Sequence, residues 1–143
     1  MWHCDFAKSF PDMEYGANRP NGVILTYGVV STREDIRCFC FDNLVTEEYG
    51  EEEVSLERYV DEKSAPAFIW HSFPDECVDP RNALVLAEAY VRAKVPCELH
   101  LYSDGAHGIG LGVPGEGNSE FYPRAHRWAD EAAEWALGLY AAR

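Results

Sequence analysis

The sequence has little positive charge and no long hydrophobic run. Its 143 residues contain 12 Lys and Arg against 25 Asp and Glu, so the formal net charge at pH 7 is −13. A surface of this sign repels phosphate backbones and anionic lipid, and we expect no nucleic-acid or membrane partner. No apolar stretch approaches the roughly 20 residues that a transmembrane helix needs. The first residues, Met1 to Asp5, show no basic segment followed by an apolar one, so they do not resemble a signal peptide.

Cysteine is also scarce, with five residues. An odd number without a secretion signal favours free, buried or half-buried thiols in a reducing cytoplasm over a disulfide framework. Cys38 and Cys40 form a close pair, but C-x-C without a second pair is a weak zinc signal. Zinc-ligand spacing is equally absent from the remaining candidates, which are His71, His100, His107, His126 and Cys97. We therefore expect a cytoplasmic protein without a metal site.

What the chain does contain is hydrophobic runs of strand length. Residues 22–30 form a continuous apolar, β-branched run, and residues 67–71 form a second one. Such runs are typical of parallel strands that are covered on both faces. Residues 97–102 resemble a third strand.

Helical patterns lie between and after these runs. Asp79 and Pro80 form a helix-start signal, which predicts a helix over about residues 81–94. A last helix is predicted over about residues 123–141, where apolar residues recur on one face. The acidic residues 42–63 predict short helices on a solvated flank.

Strands that alternate with helices predict an α/β fold, here a single domain over residues 1–143 with a parallel sheet of about three strands and flanking helices. The first strand would lie at an edge of the sheet with an unpaired apolar side. This edge predicts a homo-oligomer or association with another chain.

Two polar side chains follow neighbouring predicted strands. Asp75 comes after the second strand and His107 after the third. Loops at the carboxyl ends of parallel strands meet at one edge of the sheet, and reactive groups lie there. A carboxylate beside an imidazole is the orienting half of a nucleophile–base–acid triad. Asp75 as a turn residue and His107 as a loop histidine bonded to the backbone are the alternatives.

Asp79 and Asp104 compete with Asp75 as the acid, although Asp79 is better explained as the helix N-cap.

The order of acid, helix, strand, histidine and terminal helix resembles the C-terminal part of an α/β-hydrolase, whose triad runs Ser, Asp, His along the chain. More narrowly, the chain is similar to the acetyl esterase and acetylxylan-esterase-like group of that superfamily. Six ordered strings carry this resemblance, at residues 19–27, 55–60, 66–71, 75–78 with 82–84, 95–100 and 105–111. The resemblance implies that Asp75 is the triad acid, that His107 is the general base, and that no cofactor is required.

The nucleophile of that family is absent from this chain. The family places its serine in a G-x-S-x-G elbow, and none of the seven serines here has that context. The glycine-rich HGGG-type segment that supplies oxyanion donors is absent too. We therefore expect the chain to supply the acid and base of an esterase for small acyl esters, such as acetylated sugars, but to be inactive alone.

Two other interpretations remain. One is a non-catalytic, truncated remnant that associates through its sheet edge. The other is a peptidase on the same fold, because acyl transfer to water uses the same parts.

Overall fold

A parallel sheet of three strands forms the centre of the computed structural model. The structure describes residues 14, 16–43, 45–46, 50–115 and 120–141. The strands, in their order across the sheet, are β1 (Val23–Thr26), β2 (Ala67–Ser72) and β3 (Cys97–Tyr102). Both pairings are parallel, with Val23 opposite Ala67 and Ala67 opposite Cys97. The predicted sheet of three strands is confirmed, and β2 lies in its middle.

In the described part of the chain, three α-helices accompany the sheet: α1 (Glu51–Val54), α2 (Arg81–Ala93) and α3 (Trp128–Ala141). Short 3-10 helices occupy Phe39–Asn43, Leu56–Tyr59 and Ala125–Arg127. The second and third α-helices match the two predicted from the sequence, except that the last one begins as a 3-10 turn.

The two faces of β2 carry separate hydrophobic cores. Ala67 and Ile69 pack with Leu86 and Tyr90 of α2 on one face. On the other face, Phe68, Trp70 and Ala132 belong to one buried cluster, against which Trp128 and Trp135 pack. Alternate residues of an extended strand point to opposite faces, so a strand between two helices is mostly apolar, and β2 is apolar from Ala67 to Trp70 before the polar His71 and Ser72. All six residues of β2 are buried, as the continuous apolar run predicts.

Strand β1 is shorter than the predicted run of residues 22–30. Its ladder ends at Thr26, because Tyr27 has a φ of 35°, which an extended strand does not allow. Beyond it, the backbone N–H groups of Val30 and Ser31 donate to the side chain of Asn82 instead of to a strand. The prediction of a strand up to residue 30 was wrong because Val30 is buried in the core without belonging to the sheet, and its backbone N–H is bonded to a side chain.

The start of α2 follows its predicted signal. The Asp79 carboxylate accepts the backbone N–H of Arg81 at 2.8 Å, as a capping acid does, and Pro80 directly precedes the helix. Lys94 then adopts a left-handed conformation, which closes the helix before Pro96.

The acidic flank contains the predicted short helices, and Glu51, Glu52 and Glu53 are exposed. Glu57 differs because it is buried and accepts hydrogen bonds from the hydroxyls of Ser31 and Ser55. Glu47 and Glu48 lie outside the described residues.

The cysteines only partly match expectation. Cys38 is buried, Cys40 and Cys97 are half-buried, but Cys77 is exposed because it lies in a surface turn after β2. Cys4 lies outside the described residues. Within the described ranges, no helix combines the length and the apolar character that crossing a bilayer requires.

Candidate active site

The structure brings Asp75 and His107 together. Asp75 Oδ2 lies 2.9 Å from His107 Nδ1, and the two residues are 32 positions apart in the sequence. They follow β2 and β3, which are hydrogen-bonded neighbours, so their loops leave the same edge of the sheet. The Asp75 side chain is fully buried, whereas the His107 side chain is 34% exposed. An acid held inside the protein therefore contacts an imidazole that substrates can reach.

A tight turn fixes the Asp75 carboxylate. Its Oδ1 accepts the backbone N–H groups of Cys77 and Val78, both at 2.9 Å. An aspartate that binds its own backbone two and three residues ahead forms an Asx-type turn. The turn therefore uses one carboxylate oxygen and leaves the other, Oδ2, for His107.

A glycine allows the loop that carries His107 to approach the end of β2. Gly105 is buried and has a φ of 104°, a backbone conformation that L side chains rarely adopt. A Cβ added there would lie 2.5 Å from Ser72 Oγ, so a larger residue has no space. This close contact places the loop after β3 directly beside the loop that carries Asp75.

The surroundings of Asp75 favour its ionised form. Burial by itself raises the pKa of this carboxyl, but the N–H of Val78, the imidazole of His107 and the N–H of Cys77 outweigh it. The pKa of Asp75 therefore lies below its ordinary value. An ionised carboxylate at Nδ1 keeps the proton on that nitrogen and stabilises a positive charge on the ring.

The competing acids have other partners. The carboxylate of Asp79 pairs with the guanidinium of Arg81. Asp104 accepts the backbone N–H groups of Arg124 and Ala125 at 2.9 and 2.8 Å, where the terminal helical segment begins. Asp75 is thus the acid that the fold places beside His107.

Sequence reasoning missed two residues of this site. His71, in β2, places Nε2 3.1 Å from Asp75 Oδ2 and is fully buried. Its signal was a polar residue near the end of an otherwise apolar strand, four positions before Asp75. The ring of Tyr27 packs edge-on against His107, with centroids 5.2 Å apart, and against Trp70 at 4.9 Å. The positive φ of Tyr27 had no signal in the sequence, because such a conformation is uncommon for any residue other than glycine.

The other two histidines in the described ranges, His100 and His126, lie apart from Asp75. His100 contacts the carboxylates of Glu98 and Glu131, and Nδ1 of His126 bonds to the Tyr122 carbonyl. In the described part of the chain, no three His, Cys, Asp or Glu residues are grouped so that they could hold a metal ion.

Similar proteins of known identity are hydrolases. No family model matches the chain. Over 121 residues it is 29% identical to endo-1,4-beta-xylanase B of Butyrivibrio fibrisolvens, a match that covers 82% of this chain and 18% of the xylanase.

Three solved structures share the fold. A carboxylesterase of Lactobacillus plantarum matches 85% of this chain with a TM-score of 0.71 and 27% identity. An acetyl ester-xyloside bifunctional hydrolase of Caldicellulosiruptor lactoaceticus matches 85% with a TM-score of 0.69 and 26% identity. An α/β hydrolase from a deep-sea metagenome matches 87% with a TM-score of 0.64 and 26% identity.

The chain spans about half the length of these solved structures, since it covers 46%, 44% and 46% of them. The sheet order, the helices on both faces and the similarity to these enzymes agree with the resemblance read from the sequence. The described residues therefore form part of an α/β-hydrolase fold, and the chain is similar to enzymes that share this fold.

Proposed function

We propose that Asp75 and His107 are the acid and the general base of a serine carboxylesterase that acts on small acyl esters, acetylated sugars among them. The observation that carries this proposal is the 2.9 Å contact between Asp75 Oδ2 and His107 Nδ1. It leaves the other ring nitrogen, Nε2, to exchange a proton with a nucleophile. The similar carboxylesterase, acetyl ester-xyloside hydrolase and xylanase support an ester substrate that contains sugar.

The geometry supports a separate role for His107 and for Asp75 in this proposal. His107 Nε2 takes the proton of a serine hydroxyl as the oxygen attacks the ester carbonyl, and then gives it to the leaving alcohol. In the second half of the reaction, His107 takes a proton from the water that attacks the acyl-serine, and returns it to the serine oxygen as the carboxylic acid leaves. Asp75 remains ionised throughout, fixes the tautomer of His107 and stabilises the imidazolium. Neither step requires a metal or an organic cofactor.

The serine and the oxyanion donors come from outside these 143 residues in this proposal. Ser72 is the serine at the end of β2, but its side chain is buried against Gly105. None of the chain's serines lies in a G-x-S-x-G elbow. The nucleophile would belong to further residues of the same polypeptide or to a second chain. The intact mass of the native protein and its native coding sequence distinguish these two sources.

The test is ester hydrolysis by the native protein that carries this chain, with 4-nitrophenyl acetate and an acetylated xylooligosaccharide. We expect His107→Ala to lower kcat by about 10⁶-fold, as loss of a triad base does. His126→Ala is the matched control, because His126 is half-buried and bonds to a backbone carbonyl away from Asp75. This control should leave the rate within about two-fold, since its substitution removes no triad group.

The results test the role assigned to His107 separately from the esterase activity of the native protein. Native protein that hydrolyses both esters equally well with and without His107 contradicts the assigned roles. Native protein with no hydrolysis above buffer contradicts the esterase proposal itself. The isolated 143-residue chain should hydrolyse neither ester above the rate of its His107→Ala variant.

One observation favours a second candidate function, that of a non-catalytic subunit. Among the described residues, β1 is paired on one side alone, and Ile24 of β1 and Leu56 of the second 3-10 helix are 45% and 47% exposed. They line an apolar groove of about 540 Å³. An open apolar strand edge is a template for another strand, here that of a second copy. Sedimentation velocity at two concentrations tests this: association that Ile24→Lys abolishes supports it, and a monodisperse monomer contradicts it.

A further inference from the structure

A second histidine contacts the oxygen of Asp75 that His107 uses. His71 Nε2 lies 3.1 Å from Asp75 Oδ2, and His107 Nδ1 lies 2.9 Å from the same atom. We propose that His71 is a positioning residue, which holds the Asp75 carboxylate in the orientation that His107 needs. This inference rests on the proposed function of Asp75 and His107.

The contacts of His71 define which nitrogen carries its proton. Nε2 faces two acceptors, Asp75 Oδ2 and the Val78 carbonyl, at 3.1 and 3.0 Å. Two acceptors require a donor between them, so Nε2 is protonated and its N–H is shared. Nδ1 is buried and has no hydrogen-bond partner among the described residues. His71 is therefore the Nε2–H tautomer of a neutral ring, opposite to the Nδ1–H tautomer that Asp75 imposes on His107.

His71 completes the set of donors around the carboxylate. Oδ1 accepts the N–H groups of Cys77 and Val78, and Oδ2 accepts those of His71 and His107. Two donors on each oxygen leave the carboxylate little freedom to rotate. Without His71, Oδ2 would be held by His107 alone, on a loop that is partly exposed. Asp75 would then move together with His107 and would no longer fix the orientation of its ring.

His71 must be neutral if the negative charge of Asp75 is to stabilise His107. Asp75 carries one negative charge, and a buried cation at residue 71 would neutralise it before His107 could use it. Burial lowers the pKa of His71, and the contacts with Val78 and Asp75 only partly offset this. The environment of Nδ1 agrees, because a proton there would be buried without an acceptor. His71 thus donates a hydrogen bond without competing as a counter-ion.

Three variants of the 143-residue chain test this role without relying on activity. His71→Leu removes the donor, and His71→Gln keeps an amide N–H near the position of Nε2. Ser72→Ala is the matched control, since Ser72 is the next buried residue of β2 and its Oγ has no partner in the described structure. The measurements are long-range ¹H–¹⁵N correlation spectra of the imidazoles at pH 8, and the rate at which diethyl pyrocarbonate acylates His107.

We expect His107 to be the Nδ1–H tautomer in the unsubstituted chain, in Ser72→Ala and in His71→Gln. In His71→Leu, we expect this tautomer to lose its dominance and the acylation rate to change by about 10–100-fold, the effect of one hydrogen bond to a charged group. If His71→Leu does not fold, His71→Asn replaces it, because its shorter amide cannot reach Oδ2. The proposal would be overturned if the tautomer of His107 and its acylation rate were unchanged in His71→Leu or its replacement. It would also be overturned if His71→Gln failed to restore the tautomer and the rate of the unsubstituted chain.

In the native protein, the same variants separate the two proposals. His71→Leu should lower kcat by about 10–100-fold with KM unchanged, and His71→Gln should restore most of it. Absence of esterase activity in every variant contradicts the proposed function, while the tautomer measurement still decides the role of His71.

Discussion

Replacing Asn82 by alanine should destabilise the protein more than its small volume suggests. Asn82 lies in the first turn of α2 and is fully buried. Its Oδ1 accepts the backbone N–H groups of Val30 and Ser31, both at 3.0 Å. Its Nδ2 donates to the carbonyls of Ile36 and Asp79 at 3.2 and 3.0 Å. One side chain thus joins the segment after β1 to the turn that precedes α2.

The magnitude follows from the groups that would lose their partners. Val30 and Ser31 are buried, so their two N–H groups would have neither water nor another acceptor. Leaving a buried donor unsatisfied costs about 1–3 kcal/mol. The free energy of unfolding should therefore fall by about 2–6 kcal/mol, most of it from these two groups. For a chain of this size each kcal/mol lowers the Tm by about 2–4 °C.

The assay is urea unfolding followed by circular dichroism, with Leu84→Ala as the control. Leu84 lies on the same helix but is exposed, so its substitution should change the free energy of unfolding by less than about 0.5 kcal/mol. Amide exchange at Val30 and Ser31 should become faster in Asn82→Ala than in the control. A loss below about 1 kcal/mol, with both amides still protected, would refute the reasoning, because the two N–H groups would then have another acceptor.

Two further predictions concern protons and thiols. His71 has a lowered pKa when folded and the ordinary value of 6.5 when unfolded, so between these values the unfolded state binds the extra proton. As the pH falls below 6.5, the free energy of unfolding of the unsubstituted chain should fall relative to that of His71→Gln by up to about 1.4 kcal/mol per pH unit. Urea unfolding of both proteins from pH 7 to 5 measures this, and a difference between them that does not change with pH would contradict it. Burial and the neighbouring Cys38 raise the pKa of Cys40 to about 11, whereas Cys77 is exposed. Iodoacetamide at pH 8 should therefore modify Cys77 first, as measured by peptide mass spectrometry, and faster labelling of Cys40 would be the contrary result.

The sequence by itself determined the architecture of the sheet. A continuous apolar run indicates a strand covered on both faces, and β2 has that environment because helices lie on each side of it. The helix-start signal at Asp79 also depends on neighbouring residues alone, and α2 begins where it predicts. The approach of Asp75 to His107 could also be expected from the sequence, because two parallel strands joined by one helix place the loops that follow them at the same edge of the sheet.

Tertiary structure alone decided how the acid is held and where β1 ends. The contact of His71 with Asp75 depends on the turn that folds residue 75 back over the end of β2, and no local pattern encodes that distance. The choice of Asp75 over Asp104 likewise depends on the folded chain, in which the Asp104 carboxylate accepts N–H groups at the start of the terminal helical segment. Strand β1 ends early at the positive φ of Tyr27, and beyond it the N–H of Val30 donates to the side chain of Asn82, 52 residues away. These outcomes depend on contacts that form only when the chain is folded, and the pattern of residue types along the sequence does not determine them.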